Sequence, residues 1–175
     1  MGFNRVTRGT MLAGGVNMDG ASLKIKRLSI ASTPTGSEQD TGWDLPANSI
    51  VLDVFVNVTT AEATGTTKTL DVGLLSSESG GDADGFLDGV SVASTGIVRG
   101  AATYTNGTNQ NYISARTLGV LLWDGLDGTD AAGDAGTGNP TCHVVGTAKS
   151  VSYTAGSNDF AEFRGDIYIV YVVLE

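Results

Sequence analysis

The chain has a single cysteine, Cys142, and a single histidine, His143. One thiol excludes an intramolecular disulfide and any complete cysteine-based metal site. Adjacent residues of a strand point to opposite faces, and the segment that follows reads as a strand. Cys142 and His143 therefore do not converge as a nucleophile and base, and His143 reads as a satisfied or exposed histidine. Charge is scarce too: charged residues are 17% of the chain, against a usual quarter. Lys and Arg number 10 against 19 Asp and Glu, a net charge of −9. That balance argues against a general nucleic-acid binder, which needs a basic surface to neutralise phosphates. Long apolar runs are absent, the longest candidate being one strand long at Ile167 to Leu174, so no membrane partner is expected. Met1 to Leu12 has no apolar signal-like core, and synthesis in a cytoplasm as a soluble protein is the expectation. The sequons Asn57-Val58-Thr59 and Asn106-Gly107-Thr108 are then accidental. No phosphate loop, nucleotide fingerprint or Gly-x-Ser-x-Gly elbow occurs, and no long amphipathic helix or fixed-period repeat is visible.

What is present favours strands. Hydrophobic residues make up 41% of 175 residues, enough for the core of one domain, and the 25 glycines accompany abundant Val, Ile and Thr. The clearest strand is Ile50 to Val58, where Ile50, Leu52, Val54, Val56 and Val58 alternate with Val51, Asp53, Phe55 and Asn57. Lys68 to Leu74 repeats the pattern with Leu70, Val72 and Leu74 inward, so the two segments read as antiparallel partners, each with a wetter face. Leu23 to Lys26 and Leu28 to Ile30 alternate in opposite phase, which predicts a bulge near Arg27. Short strands are expected around Val90 to Val92 and Ile97-Val98, then at Tyr112 to Trp123 and His143 to Tyr153. From Ile167 onward both faces are apolar, as in a strand central to a sheet or buried at a subunit contact. Strands separated by turn signals predict an all-β antiparallel β-sandwich, with a jelly roll the leading topology. Residues 1–20 lack periodicity and read as an extended N-terminal arm; residues 21–175 read as one sandwich domain.

The charge is uneven. Residues 1–30 hold Arg5, Arg8, Lys24, Lys26 and Arg27 against Asp19 alone, a net +4, while the remainder has 5 basic and 18 acidic groups, a net −13. Such an arm either grips an acidic protein surface or is simply solvated. Asp82-Ala83-Asp84-Gly85 matches the first half of a calcium loop, where alternate carboxylates converge on a hard cation. A third acidic position and a terminal bidentate Glu are missing, and Asp-Gly is a favoured hairpin pair, so the turn is the preferred reading and no cofactor or metal is assigned. The same applies to Asp124, Asp127, Asp130 and Asp134 in the low-complexity stretch Asp124 to Asn139. A carboxylate pair of the glycosidase kind is not excluded by residue type, yet no plausible catalytic constellation is apparent. Trp43 precedes the best strand and reads as a cap on the core, the alternative being an exposed recognition aromatic.

The segments Asp40 to Val58, Lys68 to Leu74 and Gly80 to Val90 together resemble small structural proteins of tailed bacteriophages, in particular the decoration, or cement, proteins that coat a capsid. The resemblance covers roughly residues 40–100 and rests on strand-and-turn patterns. It implies a non-enzymatic homotrimer on the outer capsid surface of a virion, bridging major capsid subunits, and it brings no catalytic residues. The residues themselves nominate Arg5, Arg8, Lys24, Lys26 and Arg27 as capsid contacts, and Ile167, Tyr168, Ile169, Val170 and Tyr171 as a subunit interface. A carbohydrate- or receptor-binding sandwich of a phage head fibre or tail is the alternative; the Asp124 to Asn139 loop, however, contains no aromatic residue between its ends.

Overall fold

The computed structural model describes residues 11–12, 16–17, 22–30, 33–106, 111–124, 139–140, 142–156 and 159–174. In chain order its strands begin with β1 (Met11–Leu12), β2 (Val16–Asn17), β3 (Leu23–Ile30), β4 (Gln39–Leu45) and β5 (Ser49–Thr60). Next come β6 (Thr69–Leu74), β7 (Asp82–Ser91), β8 (Gly96–Arg99), β9 (Ala102–Asn106) and β10 (Asn111–Arg116). A 3-10 turn at Val120–Leu122 leads to β11 (Trp123–Asp124), β12 (Asn139–Pro140), β13 (His143–Val145), β14 (Lys149–Ala155) and β15 (Arg164–Val173). One antiparallel sheet runs β13-β5-β15-β3, with β8 also pairing β5; the other runs β4-β14-β6-β7. The pairs β1-β2, β9-β10 and β11-β12 form separate two-stranded ladders. The all-β sandwich expected from composition and alternation is therefore the fold.

The sheets bury one face each against the other. Leu28, Ile30, Val51, Val54, Val56, Val58, Ile167 and Ile169 come from one side, and Leu45, Leu70, Val72, Leu74, Phe86, Val90 and Val151 from the other. The inward set Leu70, Val72 and Leu74 is as the alternation predicts. Trp43 is partly buried and packs against this cluster.

Four local expectations are corrected. The segments β5 and β6 are not hydrogen-bonded partners but lie in opposite sheets, with β5 on β15, β8 and β13 and β6 on β14 and β7. Residues 61–68 carry the chain across, so their apolar faces meet through side chains and not through a ladder. The alternation of β5 is also interrupted. Val170 faces Asp53 and Tyr171 faces Val51, which leaves Leu52 as an extra residue. That bulge turns Val51 inward with Val54, Val56 and Val58, and puts Leu52 and Asp53 both outside. No bulge occurs at Arg27: β3 pairs β15 in continuous register from Leu23↔Val172 to Ile30↔Gly165. The apparent change of phase arises because Leu23 and Ile25 face outward and stay exposed, while Leu28 and Ile30 face the core. Finally, Asp82 to Asp88, expected as turn sequence, belongs to strand β7. Its glycines serve local needs inside that strand: a Cβ on Gly85 would collide with Leu121, and Gly89 has a φ of +67°.

Candidate functional site

The register of β3 on β15 joins two groups of residues that are far apart in sequence. Arg27 lies opposite Tyr168, Lys26 opposite Ile169 and Lys24 opposite Tyr171, so the nominated basic residues of β3 and the nominated interface residues of β15 form one ladder. Opposed residues share a face. Ile167, Ile169 and Tyr171 point into the chain's own core, where they are buried. Of the five nominated residues of β15, only Tyr168 and Val170 face outward. Lys24 and Lys26 are on the core-facing side of β3, at the sandwich's open edge. Lys26 Nζ lies 5.4 Å from the Trp43 ring centroid, and Trp43 is tilted against Tyr171 at 5.8 Å. Arg5 and Arg8 lie outside the described residues, as do Asp127, Asp130 and Asp134.

The outer face of the five-stranded sheet is built in rows. Across its middle run Arg99, Phe55, Tyr168 and Arg27, contributed by β8, β5, β15 and β3. Phe55 and Tyr168 stack with centroids 5.0 Å apart and planes 6° from parallel. The Arg99 guanidinium sits 4.3 Å from the Phe55 centroid. The four side chains form a ridge of two stacked rings with an arginine at each end. One row along are Asp53, Val170 and Ile25; beyond them Val144, Ile50, Val172 and Leu23. On the other side of the ridge, Ile97 is followed by Asn57, Asp166 and Ser29.

The charges on this face are paired. Arg99 bridges Asp53, and Arg27 Nη2 donates to Asp166 Oδ2 at 2.9 Å. Ser29 Oγ donates to Asp166 Oδ1 at 2.6 Å. Burial pushes the Asp166 carboxyl upward, but the hydrogen bonds from Arg27 and Ser29 and the arginine's charge outweigh it, and the carboxyl is held below its ordinary value. The Arg27 guanidinium is raised in turn, chiefly by its hydrogen bond to Asp166.

Two acidic sites lie elsewhere. Asp82 is pushed up to about 6 by its hydrogen bond with Asp84, by burial, and by the nearby charges of Asp84 and Asp88. Among the described residues no three His, Cys, Asp or Glu side chains are grouped to hold a metal ion. Glu62, which sequence reasoning passed over, is 1% exposed. Its Oε1 accepts from Thr64 N (2.9 Å) and Thr64 Oγ1 (2.5 Å), and its Oε2 from the backbone N–H groups of Ala161, Glu162 and Phe163 at 3.0, 3.0 and 3.2 Å. This is a structural latch between two loops, with every acceptor direction filled from the chain's own backbone and Thr64. His143 is half-buried, its ring edge-on to Phe86 at 6.2 Å, and burial pushes its pKa down. Cys142 beside it is exposed.

Sequence alone nominated Tyr168, Val170 and Arg27 on the outer face but missed Phe55 and Arg99 in any functional role. Phe55 left a trace, an aromatic on the wetter side of the best strand. Arg99 left none, because its place depends on β8 pairing β5.

No protein-family model matches the chain, and no curated protein does. Two solved structures share a similar arrangement at low identity. A chain of the cyanophage Pam1 capsid asymmetric unit is 17% identical, with a TM-score of 0.49 over 94% of both chains. A chain of the Ralstonia phage GP4 capsid is 18% identical, with a TM-score of 0.42 over 88% of this chain and 85% of that one.

Proposed function

We propose that the chain is a non-enzymatic structural protein of a tailed-phage virion, a homotrimer that decorates the outer capsid surface and stabilises it by bridging major capsid subunits. The observation that carries this reading is the outer face of the five-stranded sheet, where Leu23, Ile25, Leu52, Ile97 and Val144 are exposed around an arginine–aromatic ridge. A surface of that composition suits protein–protein contact better than small-molecule chemistry, which needs a concave site. The resemblance of residues 40–100 to capsid decoration proteins supplies the class of partner. The strand order agrees with it. Successive strands β3, β4, β5 and β6 alternate between the sheets, and the last two strands slot between them, β14 between β4 and β6 and β15 between β3 and β5. That interleaving supports a jelly roll, an architecture common to viral capsid and lectin domains. Fold by itself does not assign function.

In this reading the basic arm, with Arg5 and Arg8, reaches the shell, and several arms per oligomer raise avidity without strong single contacts. The test is cosedimentation of the purified chain with mature heads that lack it. The full chain is expected to pellet with the heads. Removing residues 1–20 is expected to weaken binding at least tenfold while the thermal melt of the body stays unchanged. Equal binding by the truncated chain removes the arm from the proposal, and failure of the full chain to bind heads sinks the decoration role.

A further inference from the structure

Charge divides between the two sheets. The strands of the five-stranded sheet hold five Lys and Arg against Asp53 and Asp166, a net +3. Those of the four-stranded sheet hold Lys149 against six Asp, a net −5. Three of the five cations, Lys24, Lys26 and Arg27, fall within one strand, β3, of a chain whose net charge is −9. This strand is also the longest regular edge among the described residues. Its eight residues pair with β15 in unbroken register on one side, and no described strand pairs with the other. The opposite margin of the same sheet is divided between β8 and β13, four and three residues long. In the other sheet, residues 117–119 lie along β7. Asp88 N donates to Thr117 O and Gly119 N to Phe86 O, both at 3.0 Å, and Leu87 bridges Leu118. The remaining edge, β4, is interrupted by a register shift on β14 and by Gly42 with a φ of +71°.

An edge strand presents a row of N–H and C=O groups to which an extended chain can add as one more strand. We propose that β3 binds an extended segment of another protein in this way, and that the segment alternates carboxylates with apolar residues. The side chains of an added strand lie opposite those of β3 and share their faces. On the outer face it meets Leu23 and Ile25, which are 63% and 62% exposed and gain most from apolar partners. On the core-facing side it meets Lys24 and Lys26. Among the described residues no carboxylate pairs with either lysine, and Lys26 rests on the Trp43 ring. Arg27, by contrast, is already held by Asp166.

Lysines on an edge strand discourage indiscriminate pairing, because an uncharged or basic neighbour crowds the ammonium groups without a counter-charge. An acidic strand supplies that counter-charge, so the same lysines select it. A second copy of the chain has no suitable strand to offer. Pairing β3 with β3 sets lysine and arginine against lysine and arginine, a repulsive arrangement, and the acidic edge β4 is too irregular to continue the ladder. The partner is therefore a different protein with an exposed acidic–apolar strand. This inference goes beyond the decoration role and does not depend on it.

The experiment uses two capped peptides as long as β3, one alternating Val with Glu and one alternating Val with Lys. Each is added to the full chain at neutral pH, and amide hydrogen exchange is followed residue by residue by NMR. At about 1 mM, the Val/Glu peptide is expected to slow exchange of the β3 amides that face away from β15 by about threefold or more. Added salt is expected to weaken that protection, and the Val/Lys peptide is expected to leave exchange unchanged. In Lys24→Glu/Lys26→Glu the preference is expected to reverse, the Val/Lys peptide now protecting β3. The control Thr66→Glu/Ser77→Glu, at two exposed positions outside the strands, is expected to keep the wild-type preference. Absence of slowing in β3 by the Val/Glu peptide, or equal slowing by both peptides, overturns the proposal. So does an unreversed preference in a Lys24→Glu/Lys26→Glu variant that melts like wild type. If that variant does not fold, the comparison of the two peptides on wild type decides alone.

Discussion

Glu62 is a carboxylate kept from water, where an uncompensated charge is costly. Burial pushes its pKa up, and the hydrogen bonds from Thr64, Glu162 and Phe163 overcome that and pull it down to about 2. A folded pKa below the ordinary 4.5 means that this carboxylate stabilises the fold above pH 4.5 and that the contribution is lost as pH falls towards 2. The contribution is about 3 kcal/mol. Glu62→Gln presents an amide N–H₂ to N–H donors, and its urea midpoint at pH 7 is expected to reflect a loss of about 3 kcal/mol, most of it gone from the difference at pH 2. Asp82 behaves in the opposite sense. Its folded pKa of about 6 lies above the ordinary 3.8, so its contribution is complete below pH 3.8 and lost as pH rises through 6. Asp82→Asn is expected to remove that loss, so that the variant melts at least as high as wild type at pH 7.5 but not at pH 4; a lower melt at pH 7.5 would show that the charged pair is useful as it stands.

At the scale of elements, β6 and β7 approach so closely that only glycine fits at Gly73. A Cβ there would run into the backbone of Asp82 and Ala83. Gly73→Ala is expected to cost about 3 kcal/mol by forcing β7 away from its partner. Gly146 sits after β13 with nothing near its Cβ position, and its φ is not in the left-handed region. Gly146→Ala is expected to be neutral or to stabilise by about 0.5 kcal/mol through the unfolded chain. Chemical denaturation of the two variants side by side checks both, and equal effects would remove the close-approach argument. Strand β3 shows how an element carries two roles. Its inward Leu28 and Ile30 serve the core, whereas its outward Leu23 and Ile25 contribute only to the exposed face.

At the scale of the molecule, the homotrimer proposed above would link stability to concentration, because a contact made only by folded chains favours folding. The wild-type Tm is expected to rise by about 5 °C across a 100-fold increase in chain concentration. Scanning calorimetry at two concentrations measures it. A Tm independent of concentration in wild type counts against self-association of any kind.

The all-β class, the strand at β5, the inward set of β6 and the central position open to β15 follow from composition and alternation, since a period of two and a supply of Val, Ile and Thr are local properties. The expectation that adjacent Cys142 and His143 point apart is local as well. Tertiary structure alone decided which strands pair. It moved β5 and β6 into opposite sheets, placed a bulge at Leu52 and none at Arg27, and drew Asp82 to Asp88 into a strand. Each of these depends on a partner distant in sequence, and alternation within one strand carries no information about the strand beside it. The scarcity of charge and cysteine with which the sequence stands out acquires its meaning in the same way. Few charges leave one sheet face neutral and apolar, and it takes the pairing of β8, β5, β15 and β3 to assemble Arg99, Phe55, Tyr168 and Arg27 into a ridge upon it.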